Sequence, residues 1–153
     1  MSENSMIKAH TLSGKELDHW VAIAMGWHRR PGREGGPWED CDIWAGPDDR
    51  LAFAPADLFH PSTDVGFTGR LVLAERLSVT SPKSPVHRNG GPLNGWGEAG
   101  SWGACSWHAG VDGKRAFGRH ETEPSVAICR CLVALKLGRE FEGSTAQRAA
   151  GDV

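Results

Sequence analysis

Apolar positions in this chain follow helical spacing near both ends and strand-like alternation between them. Leu17, Trp20, Val21 and Ala24 lie at i, i+3, i+4 and i+7, the single stripe of an amphipathic helix. Ser13-Gly14-Lys15-Glu16 before it has the spacing of a capping box, in which the Ser13 hydroxyl accepts from the Glu16 amide and Glu16 reaches back. Gly26 is a natural stop. The pattern predicts a helix over 14–25 with Trp20 in the core. A second helix is predicted to open at Pro124, where a missing N–H costs nothing in the first turn, and to end at Gly138. Apolar residues from Val126 to Leu135 cover most of its circumference, so it should be largely buried.

Between the helices the period shortens. Residues 71–79 predict a strand, with Leu71, Leu73, Leu77 and Val79 on one face and Glu75 interrupting it. Ile43–Ala45 and Leu51–Ala54 flank Gly46-Pro47-Asp48-Asp49 as the arms of a hairpin. Residues 101–108 and 114–118 predict a second strand pair across Gly110-Val111-Asp112-Gly113, with Trp102 and His108 on one face and Cys105 and Trp107 on the other. Residues 27–38 and 81–100 read as long loops, and 143–153 as a frayed tail. The expectation is one α+β domain over 1–142. It has a small, mainly antiparallel sheet, packed by an N-terminal and a C-terminal helix, with long Gly/Trp-rich loops.

Composition narrows the function classes. A formal net charge of −2 gives no overall attraction to nucleic acid or anionic membrane. Arg29, Arg30 and Arg33 form the one basic group, and Glu34, Glu39 and Asp40 follow it; nucleic-acid binding through it is an alternative rather than the expectation. The first ten residues are polar and the longest apolar run, 131–135, is far too short to span a bilayer, which predicts a cytoplasmic protein with reduced cysteines. Six of the seven tryptophans fall between Trp27 and Trp107, where they pin loops or line a cleft.

Seven histidines and four cysteines raise the question of metal and of catalysis. Cys129 and Cys131, two apart on a helix, point in different directions and suit a core better than an ion. No pair with zinc-site spacing completes Cys105-x-x-His108, so no metal or other cofactor is expected. A nucleophile built on Cys105 with His108, making a small hydrolase or transferase, is the catalytic alternative, but no nucleophile motif surrounds it and no catalytic residue is assigned. Phe59-His60-Pro61-Ser62-Thr63-Asp64 is the richest polar segment: a stiff turn, or a polar clamp beside aromatic rings. Arg130, a charge inside an apolar helix, needs solvent, an anion or a carboxylate such as Asp64 or Glu75.

Three blocks resemble, in order, the NinX-type family of small phage proteins of unknown function. They are Leu12-Ser13-Gly14 with Leu17-Asp18 and Val21-Ala22, then Pro61-Ser62-Thr63-Asp64 followed by Ala74-Glu75-Arg76, and then Pro124 to Gly138. The family patterns are SGxxLDxAVA, PSTDW and TPxxAAMRCYVASKLG. Val65 stands where the family has Trp, and Leu132 where it often has Tyr. Residues 27–54 and 81–118 look longer than the family's linking regions. The resemblance implies a phage or prophage origin and no activity. The Pro61–Asp64 turn is also similar to short motifs in phage anti-defence proteins that sequester nucleotide signals. These observations predict a non-enzymatic counter-defence protein that binds a host protein or a nucleotide-like small molecule. The expected ligand residues are Ser62, Thr63, Asp64, Arg130, Trp96, Trp102, Trp107 and His108. Oligomeric state is left open, with a homo-oligomer compatible.

Overall fold

The helix expected to be largely buried is the most enclosed. In the computed structural model, which describes residues 4–82 and 100–144, α3 (Pro124–Leu137) buries Ser125–Cys129 and Cys131–Leu135. It packs on an antiparallel sheet of β5 (Leu77–Thr80), β6 (Trp102–Ala109) and β7 (Arg115–His120), in that spatial order. Two further helices, α1 (Gly14–Ala24) and α2 (Val65–Glu75), also rest on α3. The contact of α3 with β7 is backbone on backbone. A Cβ built on Gly118 would stand 1.9 Å from the Ala127 carbonyl oxygen and 2.5 Å from the Cys131 nitrogen, so only glycine fits.

The predicted first helix forms and buries Trp20, which is 1% exposed. It ends in a Schellman motif: Trp27 N–H donates to the Ala22 carbonyl and Gly26 N–H to that of Ile23, with Gly26 at φ 83°. Its start differs from expectation. Ser13 makes no side-chain cap bond, with Gly14 turning the chain through φ 56°, so the Ser13 half of the capping box does not form.

The strand predicted over 71–79 is corrected. Most of it is α2, which Asp64 caps by accepting from Phe67 N–H at 3.0 Å, and Arg76 ends it in the left-handed region. Only Leu77–Thr80 is strand. The helix buries Thr68 and Leu71, while Leu73 is 81% exposed, so the alternation seen in sequence has no buried face behind it.

Two smaller sheets complete the α+β fold. β1 (Asn4–Lys8) pairs antiparallel with β8 (Glu140–Ser144), so the two ends of the fold are joined. Gly143 and Ser144, expected to be frayed, lie instead in β8, with Gly143 against Ile7 and Trp20. The predicted hairpin forms as β3 (Asp42–Ala45) and β4 (Leu51–Phe53) around a 3-10 turn at Pro47–Asp49. The loop expected over 27–38 contains β2 (His28–Pro31), which adds to β3. Trp96 and residues 83–99 of the other predicted loop lie outside the described residues.

Candidate functional site

A cleft of about 470 Å³ opens between α1, the β2–β3 edge and the turn that leads into α2. This is a size typical of small-ligand sites. The first turns of α1 supply Lys15, Glu16, Asp18 and His19; the strands supply Arg29 and Trp44; the turn supplies Ala56, Asp57, Phe59 and His60. Trp20, Trp44 and Phe59 are buried and form its aromatic floor. Phe59 is locked from behind by Trp27, Phe53 and Phe67, with ring centroids 5.1, 5.2 and 5.4 Å away. The His19 ring stands 5.0 Å from Trp20 and 5.7 Å from Trp44.

Asp18 is the chemical centre of this wall, its side chain 8% exposed. Oδ1 accepts the Ser62 backbone N–H at 2.9 Å. Oδ2 faces His60 Nδ1 at 3.6 Å, an ion-pair distance and too long for a hydrogen bond. Buried carboxylates ordinarily have their lone pairs filled, so Oδ2 retains room for a donor. Trp20 adds a second underused group, an indole N–H buried without an acceptor among the described residues.

Arg29 is held differently. Its Nε donates to Asp42 at 3.1 Å and Nη2 to Asp57 at 2.9 Å. Burial alone would lower the guanidinium, but the hydrogen bonds to Asp57 and Asp42 outweigh it and hold the group above its ordinary value. Arg30 is tied to Asp49 at 2.6 Å, and Asp49 also meets His28 at 3.2 Å. Two of the three arginines in the sequence's basic group are thus paired with carboxylates, which weakens the nucleic-acid alternative; Arg33 is exposed.

The residues expected to bind ligand are not gathered in one place. Ser62 touches the cleft wall only through its backbone bond to Asp18. Thr63 Oγ1 donates to the His60 carbonyl at 3.1 Å, and Asp64 is occupied as the cap of α2. The polar turn is therefore local turn chemistry, and it leads into a helix. Arg130 meets neither Asp64 nor Glu75. Its Nε donates to the Leu12 carbonyl at 2.8 Å and Nη1 to that of Arg119 at 2.6 Å, and Glu75 pairs instead with Lys136. Burial lowers the Arg130 guanidinium. Trp102 is half-buried in β6, Trp107 is 67% exposed under Arg115, and His108 is exposed with its carbonyl accepting from Ser106 Oγ. A bulge between Cys105 and Ala109 breaks the expected alternation, so buried Cys105 and exposed Trp107 do not share a face. None of these seven described residues lines the cleft.

The cysteine alternative finds no activated thiol. Cys105 is 1% exposed, and burial pushes its thiol up despite nearby Arg115, the reverse of what a nucleophile needs. Cys129 and Cys131 are fully buried in α3, as their spacing suggested. Among the described residues no three His, Cys, Asp or Glu side chains group as metal ligands, and no helix is long and apolar enough to cross a membrane.

Asp18, His19, Trp44 and Ala56 are not among the ligand residues expected from the sequence. The available signal was Asp18 beside the apolar stripe of α1, together with Phe59-His60 at the head of the polar turn. Neither the models of known protein families nor the curated proteins give a match for this chain.

Proposed function

We propose that this chain is a non-enzymatic binding protein whose ligand seat is the cleft between α1 and the Ala56–His60 turn. The observation that carries the reading is Asp18: a buried, incompletely bonded carboxylate in a concave, aromatic-floored site of ligand size. The floor is fixed by ring packing and Asp18 by the Ser62 amide, so the site is built before a ligand arrives and loses little order on binding. The NinX-type blocks support a phage or prophage origin, and the likeness of the Pro61–Asp64 turn to motifs of phage anti-defence proteins supports a counter-defence role: capture of a host component. A nucleotide-like signal would have to set its phosphates near Lys15, because Arg29 is already committed to Asp42 and Asp57.

Tryptophan fluorescence of the full chain tests this, titrated with adenosine, AMP, cyclic dinucleotides, ADP-ribose, agmatine and an end-blocked arginine tripeptide. The expected result is a saturable change with at least one of them, lost when His60→Trp crowds the mouth of the cleft. Silence across the set, or equal affinity in the His60→Trp protein, would remove the reading.

A further inference from the structure

The charge balance of the cleft defines the ligand more narrowly, on the premise that the cleft is the ligand seat. Glu16, Asp18 and Asp57 line it, and Asp42 holds Arg29 from one side; among the described residues its fixed cations are Lys15 and Arg29. These carboxylates outnumber the fixed cations by two to one. Arg29 brings no spare positive charge, since it is shared between Asp42 and Asp57. A phosphate entering here would approach the buried Asp18 charge, and like charges at a desolvated contact are strongly opposed. A donor-bearing cation meets the opposite situation. Oδ2 of Asp18 accepts no hydrogen bond within ordinary distance among the described residues, on a side chain that is more than nine-tenths buried. Trp44 and Phe59, which line the same cleft, present apolar surface suited to an alkyl stem and to cation–π attraction.

We infer that the cleft receives a guanidinium or primary ammonium head, whose N–H groups complete the Asp18 carboxylate above the Trp44–Phe59 floor. The space of about 470 Å³ holds more than the head, so an aliphatic chain of arginine or agmatine length enters with it. Two sources carry this chemistry: a free amine, or a basic side chain on the surface of a host protein.

Calorimetry of the full chain at low salt separates them, with agmatine and end-blocked Gly-Arg-Gly as cationic probes, N-butylurea as the uncharged analogue and AMP as the anion. Saturable binding of a cationic probe is expected, roughly tenfold or more tighter than that of butylurea, and weakening as salt is added. Tighter binding of the tripeptide assigns the ligand to a protein side chain, and tighter binding of agmatine to a free amine. Asp18→Asn, which keeps an acceptor for Ser62 N–H, should weaken the cation roughly tenfold. His60→Lys, which sets an ammonium beside Asp18 from the exposed rim, should compete with the ligand and does not depend on altering a buried group. Unchanged cation binding in a folded Asp18→Asn or His60→Lys protein overturns the inference. So does AMP titrating where neither cation does; in that case the cleft remains the seat and only its ligand class is wrong. If no probe binds, both readings fall together.

Discussion

The Ser62 backbone N–H donates to Asp18 Oδ1 at 2.9 Å, joining α1 to the turn that precedes α2 across 44 positions of sequence. Both groups are buried, so the bond fixes the turn and also aims the carboxylate into the cleft. Asp18→Ala would strand the Ser62 amide, at a cost of about 1–3 kcal/mol, whereas Asp18→Asn keeps an oxygen there and should cost less. Urea denaturation of the two variants checks this. Equal losses would mean that the amide bond does not account for the stability Asp18 provides.

Glycines in this chain divide by what stands next to them. Gly118 faces the backbone of α3 at distances no Cβ tolerates, so Gly118→Ala should separate β7 from α3 and cost more than about 3 kcal/mol, or prevent folding. Gly69 lies in α2 with nothing within 4 Å of an added Cβ, and Gly69→Ala should stabilise by about 0.5–1 kcal/mol. Thermal melts of the pair should move in opposite directions. A neutral Gly118→Ala would contradict the close contact of β7 with α3.

The same residues explain what could be foreseen from sequence. α1 and α3 were legible because their apolar positions keep helical spacing over several turns and end at Gly26 and Gly138. α2 was not, because Gly66 and Gly69 lower its helix propensity while Leu71 and Leu73 mimic alternation. Its true signals were local: Asp64 as a cap, and Phe67, Thr68, Leu71 and Val72 at helical spacing. β1, β2 and β8 have few apolar residues, and each is defined by a partner strand, which sequence patterning does not reveal. The cleft was partly legible for the same reason. Its turn was conspicuous, but Asp18, Trp44 and His60 meet only through tertiary packing.

Buried thiols give the protein a defined alkaline weakness. Burial, assisted by nearby Cys105, raises the Cys131 thiol from 9.0 to about 12, and burial raises that of Cys129 further. In the unfolded chain these thiols ionise near 9.0, while in the fold they stay protonated. Their contribution is therefore complete below pH 9.0 and is lost as pH rises toward about 12. Each thiol removes up to about 1.4 kcal/mol per pH unit inside that window. Urea midpoints at about pH 7, 9 and 10.5 should fall mainly across the last step, and less so in Cys131→Ala. In the native state a thiol reagent should modify Cys41, which is partly exposed, and leave Cys105, Cys129 and Cys131 untouched until unfolding.

Arg130 separates a structural charge from a binding one. Its guanidinium fork spans two carbonyls, those of Leu12 and Arg119, and so ties α3 to the segment before α1 and to the end of β7. A lysine has one nitrogen and cannot occupy both positions with this geometry. Arg130→Lys should therefore lose part of the stabilisation, and Arg130→Met should cost about 1–3 kcal/mol by leaving both carbonyls without this donor. If Arg130 instead held an anionic ligand, either change would weaken ligand binding before it weakened the fold. Comparing denaturation with a titration by whichever probe the cleft binds resolves the two roles. Stability should fall from Arg to Lys to Met while the affinity stays within about twofold. A loss of affinity in Arg130→Lys at unchanged stability would return Arg130 to the binding site.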